Sequence, residues 1–409
     1  MEIARPAPAP SPTPNGTAPA HPLPGVLPGV LPAALPPRTP LLHRLDAVDW
    51  LYALALVLGA AFALVRYHPV MDVYDDLILV LHVPLLAVIG WHWKPFRAFL
   101  AAVALLALAS IALYQGELAR AEQTFLLKYL ISSQTAIMWM SALIFIATGA
   151  YWLGLVGRSD FGERTGSALT WIAATMGTTG LFVRWYESYL LGPEIGHIPI
   201  SNLYEVFVLF ALMTALLYLY YEGRYATRRL GAFVMIVISA AVGFLLWYTF
   251  TREAHEIQPL IPALQSYWMK VHVPTNFIGY GAFAVSAMVG TAYLLAERGI
   301  LATRLPALRV LEDVMYKAIA IGFAFFTIAT ILGALWAAEA WGTYWQWDPK
   351  ETWALIVWLN YATWLHMRLT KGLRGAVLAW WAVVGLLVTT FAFVGVNMFL
   401  TGLHSYGAL

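Results

Sequence analysis

Long runs of apolar residues recur along most of this chain, and short polar segments separate them. A helix needs about 20 apolar residues to cross the hydrocarbon core of a bilayer, and eleven runs approach that length. They cover residues 48–66, 76–93, 97–114, 135–157, 167–184, 202–221, 231–250, 274–296, 315–337, 351–370 and 376–400. The second run is the weakest, because Pro84 interrupts it. The pattern predicts an all-α, polytopic transmembrane helical bundle of about eleven spans.

The first 45 residues lack these runs. Pro and Ala dominate there, and Leu-Pro-Gly-Val recurs within residues 23–32. This composition favours extended, solvated chain and cannot form a packed core. We therefore expect residues 1–45 to be a disordered cytoplasmic tail. Residues 46–194 then form N-terminal transmembrane helices without a motif that we can match, and residues 195–409 form a second transmembrane region.

The distribution of Lys and Arg predicts how the helices are oriented. With the N-terminus inside, 17 of the 24 Lys and Arg residues fall in inner segments, as the positive-inside rule requires. The C-terminus is then outside. Four segments face the outer side, at residues 185–201, 251–273, 338–350 and 401–409. They contain much of the unusual polar and aromatic sequence, so we expect the function to lie there.

The composition excludes several classes of function. Hydrophobic residues make up 61% of the chain and charged residues 11%, with a formal net charge of +2. A soluble domain carries about 25% charged residues, so the chain is expected in a lipid bilayer and offers no basic surface for nucleic acid. Cysteine is absent. Disulfides, thiolate metal sites and cysteine nucleophiles are excluded, and a reaction on a thiol needs a partner.

The most unusual outer segment is the aromatic loop, residues 338–351. It contains Trp341-Gly342-Thr343-Tyr344-Trp345-Gln346-Trp347-Asp348, followed by Pro349-Lys350-Glu351. Indole rings offer large apolar faces, which suit a flat macrocycle. The alternative is an ordinary belt of interfacial aromatic residues. Asp348, Pro349 and Glu351 also have the pattern of a helix start, so we assign no acid–base chemistry to Asp348 or Glu351.

Three histidines are candidate ligands of a haem iron. His272 and His404 stand at the outer ends of two predicted spans, level with the aromatic loop, so their imidazoles could hold iron from both sides. The alternative is a pair of interfacial histidines bonded to backbone carbonyls. His366 lies within the tenth span, about 22 Å from its outer end. An ionisable group at that depth is a candidate functional site, and its alternative role is a hydrogen bond to a neighbouring helix.

The aromatic loop resembles a known motif. Residues 341–348 are similar to the tryptophan-rich WWD signature of the haem-handling proteins of cytochrome c maturation. The continuation through Glu351, with Trp353, resembles the CcsA (ResC) family. Residues 196–205 are similar to the segment that opens the conserved core of that family. The resemblance covers about residues 195–409, which it identifies as a haem-handling core.

The resemblance also implies roles for individual residues. His272 and His404 match the external histidines that flank the motif, and His366 matches the intramembrane histidine that follows it. The haem platform would consist of Trp341, Gly342, Tyr344, Trp345, Trp347 and Asp348. The second ligand of an intramembrane haem stays open between His82, His92 and a histidine of a partner.

The function implied is that of one half of a membrane cytochrome c synthase. Haem b would bind at the intramembrane site, move to the outer platform and be presented there for thioether attachment to apocytochrome c. A CcsB (ResB) protein would be the partner. The implied location is the bacterial plasma (inner) membrane, with the active face on the periplasmic side. No catalytic side chain is implied.

Two other functions fit the same residues. A haem exporter would release haem outside the membrane without attaching it to a protein. A general polytopic transporter would bind no chromophore, and its aromatic loop would be only part of an interfacial belt.

Overall fold

The computed structural model of the protein describes residues 41–402. Residues 1–40 of the predicted tail and the candidate ligand His404 lie outside the described residues. Between residues 41 and 402 the chain consists of helices and irregular connections, without a β-strand. The predicted all-α architecture is therefore confirmed.

Each of the first ten apolar runs coincides with one long helix, and the eleventh covers α12, a π turn and α13, which follow one another without a break. In chain order the helices are α1 (Ala47–Tyr67), α2 (Val73–His92), α3 (Pro95–Tyr114), the short α4 (Arg120–Gln123), α5 (Ser133–Gly157), α6 (Asp160–Leu191), α7 (Leu203–Tyr225), α8 (Gly231–Arg252), α9 (Tyr267–Glu297), α10 (Leu308–Trp341), α11 (Pro349–Thr370), α12 (Ala376–Thr390) and the short α13 (Val396–Phe399). A π turn at Leu127–Ile131 precedes α5, and another at Phe391–Gly395 joins α12 to α13.

Nine of the long helices in the described part have the length and apolarity of a membrane span. The other two, α6 and α11, carry polar side chains along their length. α6 contains Arg184 and Glu187, and α11 contains Asn360, His366 and Arg368. These nine helices indicate that the protein is a membrane protein. Eleven crossings and the sides of the two termini stay predictions.

Contacts divide the chain inside α1, into a short unit that ends at Trp50 and a main unit, Leu51–Leu409. In the described part of the short unit, the side chains of Asp46 and Asp49 each accept the backbone N–H of the other at 2.8 Å. This reciprocal pair caps the start of α1. The main unit contains α2 to α13, including the aromatic loop and His272. The functional division at residue 195 stays a prediction.

The centre of the main unit is formed by α7 and α9. In their most apolar windows, 72% and 78% of residues are buried, whereas the figure for α2 is 11%. α9 packs against α7, α8, α10 and α12. Close approach to α7 depends on Gly281, because a Cβ atom there would lie 3.0 Å from Oγ1 of Thr214. The helix that carries His272 is therefore held on several sides.

A buried ion pair connects the segment between α8 and α9 to this core. Arg184 on α6 donates from Nε to the carboxylate of Glu205 on α7 at 2.7 Å, and both side chains are almost fully buried. The same guanidinium donates to the carbonyls of His255 at 2.6 Å and Glu256 at 3.3 Å. Buried charges need such pairing. Arg184 thus fixes the segment between α8 and α9, which leads directly to His272.

Candidate functional site

A cavity of about 250 Å³ lies where α9, α10 and α11 meet the aromatic loop. Its walls are mostly apolar and aromatic, and a small number of polar groups converge on it. His272, Trp336, Tyr344, Trp345 and Lys350 all line it. Concave, largely apolar sites with a few placed polar groups are typical of ligand binding. The structure therefore brings one predicted ligand and two predicted platform residues into one cavity.

The aromatic loop is held by local hydrogen bonds. α10 ends at Gly342, whose left-handed conformation (φ 79°) lets its N–H donate to the carbonyl of Ala338 at 3.0 Å. α11 begins after Asp348, which forms a reciprocal capping pair with Glu351. Such a pair satisfies amides at the helix start that otherwise lack partners. The helix start predicted at Asp348 and Pro349 is confirmed.

Trp347 has a backbone conformation that only glycine adopts without strain, with φ at 60°. A left-handed conformation costs a non-glycine residue about 1–3 kcal/mol unless its surroundings hold it. The carboxylate of Glu351 provides that support. Its Oε2 accepts the N–H of Gln346 at 2.7 Å and that of Asp348 at 3.2 Å, the two amides on either side of Trp347.

The predicted platform residues occupy different positions around the cavity. Tyr344 and Trp345 line it, and the ring of Trp347 stands edge-on to that of Trp345 at 6.0 Å. Trp347 is exposed over 68% of its surface and Tyr344 over 64%. Large exposed aromatic residues beside a cavity offer an apolar rim.

Three further residues of the predicted platform support the loop from outside the cavity wall. Trp341 is half-buried at the end of α10, Gly342 forms the exposed turn, and Asp348 is buried beneath the loop.

His272 lies inside α9, in its second turn. The predicted span begins near Pro274, but the helix starts at Tyr267, so the imidazole is within the helix and not before it. Nδ1 of His272 donates to the carbonyl oxygen of Ala329 on α10 at 2.8 Å. A carbonyl only accepts, so this bond places the proton on Nδ1 and the ring lone pair on Nε2. Metal-binding histidines are oriented in this way.

Two neighbours on α10 define the position of the His272 ring. The indole of Trp336 stands edge-on to it, with ring centroids 5.7 Å apart. Gly333 lies directly against it, since a Cβ atom at residue 333 would be 2.9 Å from Cε1 of His272. Only a residue without a side chain permits this approach. The imidazole is therefore held in one orientation by α10.

The chain that leads to residue 404 is held against the aromatic loop. Gly402 packs on the carboxylate of Asp348 so closely that a Cβ atom at residue 402 would overlap Oδ2. Asp348 thus contacts both the start of α11 and the segment after α13. His404 itself lies beyond the described residues.

His366 is on a different part of the molecule. It is exposed on α11, and its Nδ1 lies 3.4 Å from Oγ1 of Thr370. Sixteen residues of helix separate it from Lys350, which corresponds to about 24 Å along the axis. His272 and His366 therefore do not share a site, and the side chain of His366 is exposed on the surface of the helix bundle.

The two other candidate inner ligands are also exposed. Nδ1 of His82 donates to the carbonyl of Ile78 at 2.7 Å, and Nδ1 of His92 donates to that of Val88 at 2.9 Å. Within residues 41–402, no hydrogen bond or ring contact joins either residue to His366. The second ligand of an inner haem stays open.

Lys350 is a site residue to which the sequence analysis assigned no role. Its Nζ donates to the carbonyls of Phe393 at 3.1 Å and Ala392 at 3.4 Å, which lie in the π turn after α12. In this turn the amide of Val396 bonds to the carbonyl of Phe391, five residues back. π turns are frequent at functional sites. The sequence shows the lysine but not the turn that it reaches.

Comparisons with known proteins identify the family of this chain. Residues 200–404 match the family model described as cytochrome C assembly protein. A cytochrome c biogenesis protein CcsA of Chlorella vulgaris is 35% identical over 308 residues, which are 65% of this chain and 94% of that protein. The CcsA protein of Parasynechococcus marenigrum is also 35% identical, over 60% of this chain and 87% of that protein.

A solved structure shares the fold. The cytochrome c haem lyase CcmF superposes with a TM-score of 0.51 at 18% sequence identity. The alignment covers 65% of this chain and 49% of CcmF, so this chain spans about half the length of that protein. At this identity the likeness concerns the fold alone. Together with this fold, the family model and the CcsA relatives show that the chain belongs to the cytochrome c assembly protein family, in its CcsA branch.

Proposed function

We propose that this membrane protein of cytochrome c biogenesis binds haem b and presents it at its outer face for covalent attachment to apocytochrome c. The observation that carries the proposal is the orientation of His272. Its ring lone pair is placed on Nε2 by the bond to Ala329, in the wall of an apolar, aromatic cavity. A neutral imidazole in such surroundings is a suitable axial ligand for haem iron.

The dimensions of the cavity support a bound macrocycle that is partly enclosed. Ligand sites usually measure about 300–1,000 Å³, and this cavity measures about 250 Å³. It can surround one part of a porphyrin, while the exposed rings of Tyr344 and Trp347 cover more of its apolar surface. A reactive edge that stays accessible is necessary for transfer to a second protein.

The chemistry of attachment belongs to haem and to the acceptor. Thioether formation joins a haem vinyl group to a cysteine thiol, and this chain contains no cysteine. The thiols therefore come from apocytochrome c. This chain contributes ligation, orientation and exclusion of water, which are the protein's usual contributions to cofactor chemistry.

We assign His404 as the second external ligand and His366 as the ligand of an inner haem. The path of the chain at Gly402, against Asp348, supports the first assignment. The outward position of His366 supports the second, because a helix of a CcsB (ResB) partner can pack there and complete the site. We place the protein in the bacterial plasma membrane with the cavity on the periplasmic side.

The experiment that tests the proposal uses the full chain, purified with its partner. Wild type, His272→Ala and the control His68→Ala are compared by visible spectrum and by thioether formation on an apocytochrome peptide. His68 is an exposed histidine bonded to Asp76 at 2.8 Å, far along the chain from the cavity. We expect His272→Ala alone to lose the spectral contribution of the haem at the cavity and the thioether product, while haem bound at the inner site of His366 stays.

Each alternative function predicts a different result. A haem exporter binds haem but forms no thioether. A general transporter shows no chromophore in the wild type. Unchanged haem content and product in His272→Ala would remove the basis of the proposal.

A further inference from the structure

The side chain of Lys350 is a partly buried cation in the wall of the cavity. It stands in the first turn of α11, before the apolar segment 351–370, and its Nζ is bonded to two backbone carbonyls. Within residues 41–402 no carboxylate lies at ion-pair distance from this ammonium. Buried charges are normally paired with an opposite charge. The site therefore holds a positive charge without a counter-charge in direct contact.

The surroundings of Lys350 favour a negative ligand. An ammonium has three N–H donors, and the carbonyls of Ala392 and Phe393 accept two of them. One donor is left for a further acceptor. Burial lowers the pKa of Lys350 to about 8, an effect that the charge of Asp348 partly offsets. At neutral pH the ammonium of Lys350 is still cationic. An anion beside it would offset the loss of hydration that burial causes.

The side-chain amide of Asn397 is a second hydrogen-bond donor beside the ammonium of Lys350. Nδ2 of Asn397 on α13 donates to the carbonyl of Phe393 at 3.1 Å, the same oxygen that Lys350 contacts. Both side chains line the cavity. The amide has a second N–H. The ammonium and the amide thus converge on one carbonyl, where a carboxylate can accept from both.

The position of Glu351, the negatively charged residue of the cavity wall, indicates on which side of the cavity a ligand carboxylate binds. Glu351 also lines it and is 8% exposed. Its Oε2 binds the aromatic loop, and within the described part of the chain its Oε1 has no hydrogen-bond partner. A ligand carboxylate is repelled on that side and attracted on the side of Lys350 and Asn397.

We propose that Lys350, together with Asn397, receives a carboxylate of the bound macrocycle, which is one propionate group when the cargo is haem. The inference rests on the proposed haem function and specifies the orientation of the cargo. A propionate fixed at the π turn determines which edge of the porphyrin faces the rim. Lys350 is thus a specificity-determining residue, and His272 is the iron ligand.

The test varies the protein and the ligand together. Haem with free propionates and haem dimethyl ester, in which both carboxylates are blocked, are titrated into wild type, Lys350→Met and Lys350→Gln. We expect wild type to bind the free acid about 10–100-fold more tightly, the range of a charge-assisted hydrogen bond. Both variants should bind the two ligands within about twofold of each other. Lys128→Met, which removes an exposed lysine paired with Glu122, is the matched control and should keep the wild-type preference.

The possible failures are distinguishable. If wild type binds neither form of haem, the proposed function itself fails. If it binds both forms equally, or if the Lys350 variants retain the wild-type preference, haem binding stands and the carboxylate role of Lys350 is overturned. Lys350→Gln keeps a donor for the π turn, so a variant that folds is available even if Lys350→Met does not.

Discussion

His272 on α9 is bonded through Nδ1 to the carbonyl oxygen of Ala329 on α10, at 2.8 Å. A helix carbonyl cannot rotate without unwinding its turn, so this acceptor is rigid. The bond determines which ring nitrogen carries the proton and in which direction the other points. The neighbouring helix α10 thus holds the imidazole of His272 in one orientation.

The first prediction concerns Gly333, which provides the space for that ring. In Gly333→Ala the new Cβ atom would lie 2.9 Å from Cε1 of His272, so the ring must move. Disturbing a group that orients a metal ligand typically costs about 10–100-fold in affinity. We expect a loss of haem affinity in this range and a shifted haem spectrum.

The control for this substitution is Gly243→Ala in α8, where nothing lies within 4 Å of the added Cβ atom. Alanine is favoured over glycine within a helix by about 1 kcal/mol. The control should therefore be neutral or slightly stabilising. Equal haem affinity in the two variants would contradict the role assigned to Gly333.

The second prediction concerns Glu351 and the strained residue Trp347. Glu351→Ala removes the acceptor of the two amides that flank Trp347. We expect the free energy of unfolding to fall by about 1–3 kcal/mol, and residues 342–348 to exchange their amide hydrogens faster. Hydrogen exchange measured by mass spectrometry tests this, with the exposed Glu117→Ala as control. Unchanged exchange in the loop would refute the support described for Trp347.

The third prediction is a pH dependence of ligand selectivity. Burial lowers the pKa of Lys350 to about 8, and a bound carboxylate favours the charged ammonium. The preference for free haem over its dimethyl ester is therefore fully present below pH 8 and is lost as pH rises from that value through the higher pKa of the lysine in the complex. We expect it to decline between about pH 8 and pH 10 in wild type.

Other charged groups act on the same site. Asp348 and Glu351 neighbour Lys350, and His272 shares the cavity. Lys350→Gln separates their effects, because it should show a small preference that does not change over this pH range. A wild-type preference that stays flat over the same range would count against a titrating lysine.

The fourth prediction concerns the buried pair of Arg184 and Glu205. Breaking such a pair typically costs about 3–5 kcal/mol, because one charge stays buried without its partner. We expect Arg184→Met to lower the thermal unfolding temperature in detergent and to open residues 253–256 to proteolysis. The double variant Arg184→Met/Glu205→Met should recover part of the loss. A single variant as stable as wild type would show that the pair is dispensable.

The fifth prediction separates a binding platform from an interfacial belt. Trp345 lines the cavity, whereas Trp247 on α8 is a partly exposed tryptophan outside it. We expect Trp345→Ala to reduce haem affinity about tenfold or more through lost apolar contact. Trp247→Ala should leave the affinity unchanged. Equal effects of the two substitutions would favour the belt.

The helices could be predicted because each apolar run is long enough to be distinguished from the polar segments beside it. Their ends were less predictable where charges are paired inside the protein. α6 extends over Asp160–Leu191, beyond the predicted 167–184 at both ends. At the C-terminal end, Arg184 and Glu187 find buried partners, which allows the helix to continue past them. The predicted start of α9 near Pro274 was wrong. Proline usually marks the first turn of a helix, but Pro274 is the eighth residue of α9.

The site was predictable as a set of residues but not as an arrangement. The density of tryptophan and the place of His272 near a span end were visible in the sequence. The bond to Ala329 and the space at Gly333 join residues more than 55 positions apart, so no local pattern contains them. The contact of Lys350 with the π turn depends on a backbone irregularity that no sequence pattern signals.

The central position of α9 has a mechanical consequence. A helix enclosed by α7, α8, α10 and α12 cannot tilt or slide without moving the whole bundle. His272, which α9 carries, is therefore held in a fixed position within the bundle. In the proposed function, haem therefore has to move to and from His272, and the moving components are the haem, the acceptor protein and the proposed partner on the exposed face of α11.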